Sequence, residues 1–189
     1  MARTTISITK EALHFAAAHF TIFSATEREN LHGHNFQVAA DIDADVGEDG
    51  LAFDYNLIKR TLQTLCDGLD ERTLLPGRSP HLAIKEEQGY TVAIFDDERI
   101  PFLPRDVLTL PVANITVEAL ADWLGGELFK DPDIATLDMH RLTVKVSSGA
   151  GQWAQSSFAP EASIFQRETA ESIKKSAAGD NPATGIAAR

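Results

Sequence analysis

Polar and apolar residues alternate from Thr4 to Thr9, with Ile6 and Ile8 on one face, and residues 13–20 form a second apolar run. A period of two predicts strands, and their closeness predicts an antiparallel pair at the start of the chain. Residues 21–30 are a polar excursion. A long strand then begins at His32 and runs to about Asp43, before the turn Asp45-Val46-Gly47-Glu48-Asp49-Gly50. Residues 56–69 put Leu57, Ile58, Leu62, Leu65, Cys66 and Leu69 on the buried stripe of a first helix. Residues 116–129 do the same with Val117, Leu120, Ala121, Leu124 and Leu128, Glu118 lying near the positive end and Asp131-Pro132-Asp133 ending the helix.

Between Pro76 and Pro111, the runs 90–95 and 100–103 flank the charged turn 96–99 and predict an inserted β-hairpin, the insertion spanning about 77–111. Residues 142–146 alternate as a strand, with 152–158 as its partner. From Thr169 apolar periodicity is lost, so 169–189 is expected to be a flexible tail on a single domain of residues 1–168. This order of elements predicts an α+β fold with helices on one face of an antiparallel sheet.

The composition, 43% hydrophobic and 24% charged over 189 residues, is ordinary for one globular domain. No apolar run approaches the roughly 20 residues that span a bilayer, and Met1-Ala2-Arg3-Thr4-Thr5 is no signal segment, so a cytoplasmic protein is expected. The net charge of −11 argues against nucleic acid and anionic membranes as partners. With Cys66 the single cysteine, an intrachain disulfide is excluded, and its helical spacing marks it as a core residue.

The candidate chemistry lies in the histidines. Three of the six fall between residues 19 and 34, as His19 and the pair in Leu31-His32-Gly33-His34-Asn35-Phe36. On a strand, His32 and His34 share a face about 7 Å apart along the backbone, which lets two imidazole nitrogens converge on one ion. His19 from a neighbouring strand completes a His₃ set whose fourth position is open to water or substrate, the arrangement of catalytic zinc. A lone His-x-His pair is equally the mark of packed core histidines, and imidazoles suit several divalent ions besides zinc. His14, His81 and His140 have no such company and read as structural or surface residues.

The motifs Phe15-Ala16-Ala17-Ala18-His19, Leu31-His32-Gly33-His34-Asn35-Phe36, Phe53-Asp54-Tyr55-Asn56-Leu57-Ile58-Lys59, Leu69-Asp70 and Asn114-Ile115-Thr116-Val117-Glu118 resemble, in order and spacing, the 6-pyruvoyl-tetrahydropterin synthase family, which includes the 6-carboxytetrahydropterin synthases of queuosine biosynthesis. The resemblance runs from about Ile6 to Ala154. It implies a T-fold, a four-stranded antiparallel sheet with two helices on one side, assembled into homo-oligomers up to hexamers. It further implies that His19, His32 and His34 bind Zn2+, that a dihydroneopterin triphosphate-like small molecule is the substrate, and that Thr116 contacts it through its backbone.

Three departures from the family pattern bear on chemistry. The usual catalytic Cys, four residues before the first His of the HGH motif, is Arg28, and the following Glu29 resembles the type III variant in which a glutamate takes over and the side chain is cleaved to 6-hydroxymethyldihydropterin. Asp70 of the Asp-His proton relay is retained, but Glu71 stands where the His would be, and a carboxylate does not titrate near neutrality as an imidazole does. Ser148 stands at the glutamate that anchors the pterin ring, and a hydroxyl cannot supply a bidentate anionic acceptor. The resemblance thus implies a zinc-dependent lyase with Glu29, Asp70 and Glu71 as catalytic candidates and Thr116 and Ser148 at the substrate. Two alternatives stay open: the same metal site serving another small molecule, and a zinc-binding pseudoenzyme whose insertion at 90–103 binds a partner.

Overall fold

The long strand β3 (His32–Val46) organises the sheet, with Phe36, Val38, Ala40, Ile42 and Ala44 alternating into the core. The computed structural model describes residues 2–160. Both β1 (Ala2–Ile8) and β2 (His14–His19) pair antiparallel with β3, β2 along residues 32–37 and β1 along residues 40–46. They do not form the antiparallel pair predicted for the start of the chain. Residues 9–13 contain no residue of positive φ and so make no two-residue hairpin turn, and the chain steps over and continues along the same neighbour. The Val38 N–H donates to the Leu13 carbonyl at 2.8 Å and fixes the register across this break.

On the other side of β3 lies β9 (Arg141–Gly149), followed by β10 (Gln152–Phe158), paired as the alternation predicts. Beyond β2 the sheet gains β4 (Arg72–Pro76) and β8 (Val107–Leu110), both parallel to their neighbours. The main sheet is therefore seven-stranded and mixed, not the expected four-stranded antiparallel one. β4 escapes a periodicity reading because Leu74, Leu75 and Pro76 are consecutive and all buried, and parallel strands covered on both sides lose the period of two, while β8 is only four residues long.

The expected inserted hairpin is a separate three-stranded sheet of β5 (Leu82–Glu87), β6 (Tyr90–Phe95) and β7 (Glu98–Phe102). The charged end of β5, Lys85-Glu86-Glu87, hides it as a strand, while Gln88 (φ 51°) and Gly89 (φ 83°) make the left-handed two-residue turn that closes it onto β6.

Helices α1 (Asn56–Leu69) and α2 (Val117–Leu128) fall where the apolar stripes predict them and cover one face of the main sheet. Ile58, Leu62, Cys66 and Leu69 of α1 and Leu120, Ala121, Leu124 and Leu128 of α2 meet Phe15, Phe36 and Val38 in the core. At the start of α2 the Thr116 hydroxyl accepts the Ala119 N–H at 3.2 Å, satisfying one of the free amides of its first turn. A short turn of helix, α3 (Pro132–Ala135), occupies what the sequence predicts only as a stop, its Asp131 carboxylate accepting the Asp133 N–H. Among the described residues no helix is long and apolar enough to cross a membrane. The expected tail, 169–189, lies outside the described residues.

Candidate metal centre

Strand register brings the three histidines together. His19 lies directly opposite His32 across the β2–β3 ladder, and His34, two residues along, lies opposite Ala17. Alternation turns all three toward the helix-covered face, where ring centroids are 4.7 Å apart for His19 and His32, 5.3 Å for His19 and His34, and 4.8 Å for His32 and His34. One nitrogen from each falls within 4.8 Å of the other two. Phe36 closes the inner side, its ring 5.5 Å from His19 and 5.7 Å from His34.

The outer nitrogens of two rings are held by carbonyls. His19 Nδ1 lies 2.9 Å from the Ile115 carbonyl, and His32 Nδ1 lies 2.8 Å from that of Asn30. With Nδ1 as donor, Nε2 is left with its lone pair free, the tautomer that a carbonyl accepting from the other ring nitrogen enforces at metal sites. His19 is only 5% exposed, and its Nε2 is buried with no hydrogen-bond partner. Leaving a buried acceptor orphaned is costly, so an unpartnered nitrogen aimed at two other imidazoles fits the binding of a cation. Burial is also the main reason that the His19 pKa is lowered, with the two neighbouring imidazoles adding to it, and a neutral ring is what a metal needs. His32 Nε2 and His34 Nε2 stand 3.0 Å apart, close to the separation that a shared ion imposes on nitrogens about 2.0–2.1 Å from it.

The polar excursion that supplies Glu29 is a braced loop. Its N–H donates to the Thr21 carbonyl at 2.9 Å, and the Thr21 N–H donates back to Glu29 Oε2 at 3.0 Å. Hydrogen bonding from Thr21 is the largest cause of a Glu29 pKa below the usual carboxylate range, and His32 and His19 contribute through their fields. Asn114 fastens this loop to the entrance of α2, accepting the Ile22 N–H at 3.1 Å and donating to the Ile22 carbonyl at 2.8 Å. The next residue, Ile115, supplies the carbonyl on His19. Sequence reading quotes Asn114 and Ile115 within a motif and gives them no role, because their contribution is a main-chain carbonyl and a loop clamp 92 residues from its target.

The other candidates are placed differently. Asp70 caps the end of α1, and its Oδ1 accepts the Ala16 N–H at 2.7 Å. Glu71, at a left-handed φ of 55°, donates its N–H to the Ala16 carbonyl and borders a cavity of about 410 Å³ with Ala16, Ala18, Gly33 and Asn35. By alternation those four residues point to the sheet face opposite the imidazoles, with His34 at the edge of the cavity. Thr116 is half-buried beside Ile115, its hydroxyl committed to the cap. Ser148 follows the last residue of β9 paired with β3, Ser147 opposite Gln37, and is half-buried.

Comparison with known proteins then places the chain. The sequence model of 6-pyruvoyl tetrahydropterin synthase matches residues 7–157. The chain belongs to this family. A Methanocaldococcus jannaschii protein, named provisionally as a 6-carboxy-5,6,7,8-tetrahydropterin synthase, is 24% identical over 75% of the chain and 88% of its own length. A Pyrococcus abyssi protein of the same provisional name is 27% identical over 62% and 70%. Among solved structures, the Plasmodium vivax 6-pyruvoyl tetrahydropterin synthase superposes with a TM-score of 0.78 at 24% identity, over 84% of this chain and 99% of that one, and a second structure of that protein is of a catalytic-residue mutant with a glutamate changed to alanine. The fold is thus that of 6-pyruvoyl tetrahydropterin synthase, with the histidine trio in a geometry consistent with the family's zinc site.

Proposed function

We propose that this chain is a zinc-dependent lyase acting on a dihydroneopterin triphosphate-like small molecule, with His19, His32 and His34 holding the ion and Glu29 as the base. The observation that carries the reading is the buried, unpartnered Nε2 of His19 facing two further imidazoles. Zinc bound there supplies Lewis-acid polarisation of a hydroxyl or carbonyl oxygen, which makes the neighbouring C–H or O–H proton easier to remove. Glu29 takes that proton. Its lowered pKa keeps the carboxylate ionised at neutral pH, and the hydrogen bond that its Oε2 accepts from the Thr21 N–H holds it in one place, so positioning offsets its modest basicity. A glutamate named as a catalytic residue in the Plasmodium vivax enzyme supports giving this part to a carboxylate in a chain that has Arg28 at the cysteine position.

Incubation of the zinc-loaded protein with dihydroneopterin triphosphate tests the reading. Turnover is expected, and Glu29→Gln should lower kcat by about 10²–10⁴-fold with zinc content unchanged. A zinc-loaded wild-type protein that leaves this substrate untouched overturns it.

A second reading has its own support. Asp70 is engaged by the Ala16 N–H, Glu71 borders the cavity on the other sheet face, and Ser148 offers a hydroxyl where a ring-anchoring carboxylate is expected. These favour the same metal site acting on a different small heterocycle or carbonyl compound. Bound zinc together with turnover of such a compound, and none of the pterin, is the outcome it requires.

A further inference from the structure

We propose that Arg28 is a positioning residue that sets the Glu29 carboxylate, and that the inserted β5–β6–β7 sheet is a structural part of the site through its contact with Arg28. The inference rests on Glu29 being the base, as proposed above.

The side chain of Arg28 is only 14% exposed, unusual for an arginine on a polar loop. Both of its terminal nitrogens and its planar faces are engaged, while the buried Nε has no hydrogen-bond partner. Nη1 donates to the carbonyl of Glu29 at 2.8 Å, and Nη2 donates to the carboxylate of Glu98, the first residue of β7. The guanidinium lies over two rings, 5.1 Å from the centroid of Phe20 and 5.6 Å from that of Phe95, the last residue of β6. Phe20 directly follows the ligand His19, and Phe20, Ile22, Leu75, Leu82, Ala93 and Phe95 form a second apolar core beneath the loop. One cation therefore touches the residue next to a metal ligand, the main chain of the candidate base, and two strands of the insertion.

Chemistry favours a constraint on geometry over a gain in stability. Glu98 is more than half exposed, so the ion pair is screened and weak by itself. The planar fork is what matters, since it fixes two acceptors while both aromatic faces hold its plane. Directly after Arg28, the Glu29 main chain donates its N–H to Thr21 and accepts from Arg28 at its carbonyl, so the peptide units on both sides of the residue that carries the carboxylate are held. Lysine can supply the charge at this position. It cannot bridge two acceptors in one plane.

The test compares zinc-loaded wild type with Arg28→Met, which keeps the apolar stem, Arg28→Lys, and Glu98→Ala, which leaves the stacking intact. Hydrogen exchange of the peptide covering residues 20–31 is expected to accelerate by about tenfold or more in Arg28→Met, with that of α2 and the zinc content unchanged. In the same variant kcat should fall by about 10–100-fold at constant KM, the scale of a misplaced catalytic group, with partial loss in Glu98→Ala and no full recovery in Arg28→Lys. Unchanged exchange in residues 20–31, or acceleration spread evenly over the chain, overturns the proposal. If wild type shows no turnover at all, the reading of Glu29 as base fails, and exchange alone decides whether Arg28 braces the loop.

Discussion

His19 and His32 are registered partners on adjacent antiparallel strands, and their facing rings stand 4.7 Å apart. His34 has no histidine across from it but Ala17, whose methyl leaves room for the third imidazole to lean toward the other two. The convergence of three histidines on a sheet is here a consequence of pairing: shifting the register by one residue would send His32 and His34 to the opposite face from His19.

Zinc should bind with a stoichiometry of one per chain and be lost from His32→Ala and His34→Ala proteins. Because an ion that binds only the native state stabilises it, saturation to about 100 times Kd adds about 2.7 kcal/mol, and chelation should lower Tm accordingly in wild type and not in the variants. Metal analysis and calorimetry of the same samples check this. A wild-type Tm indifferent to chelator would contradict it.

Gly125, within α2, is kept open for Phe158. A Cβ added at Gly125 would sit 1.9 Å from Cε2 of that ring, which stacks on Phe129 at 5.7 Å. Gly125→Ala should therefore destabilise by about 1–3 kcal/mol, the overpacking cost outweighing the gain in helix propensity. At Gly126, where an added Cβ meets nothing within 4 Å, the same change should stabilise by up to about 1 kcal/mol. Urea denaturation of the two variants gives the contrast, and equal effects would remove the argument from Phe158.

Cys66 is fully buried on α1, and burial pushes its thiol from an ordinary value near 9.0 up to about 12. The native protein should leave a thiol reagent unreacted at pH 8, whereas the denatured chain reacts with one equivalent. Since the folded pKa lies above the unfolded one, the neutral thiol's contribution is fully present below pH 9.0 and is lost as pH rises toward 12. Replacing Cys66 by Ala should therefore flatten the alkaline fall in stability over that interval. An identical fall in both proteins would show that other groups cause it.

The pattern of the chain was informative wherever a single face repeats. Both long helices follow from their stripes, β9 and β10 from alternation, and the histidine pair from its spacing of two, because each property depends on a period that a dozen residues display. The parallel strands β4 and β8 were not legible: in β4 Leu74, Leu75 and Pro76 are buried together and carry no alternation, and β8 has only four residues. Nor was β5 legible, a largely exposed edge strand that ends in three charged residues.

Sequence by itself determined the three histidines, the family motifs and the arginine at position 28, since these are properties of residue identity and order. Tertiary structure decided the rest. It made His19 a partner of His32, supplied the Ile115 carbonyl from 96 residues away, braced Glu29 between Thr21 and Arg28, and set Glu71 beside a cavity on the other sheet face. The physical reason is that main-chain carbonyls and amides carry no signature in the sequence, and which of them meets a given imidazole or carboxylate is fixed only when distant strands take their register.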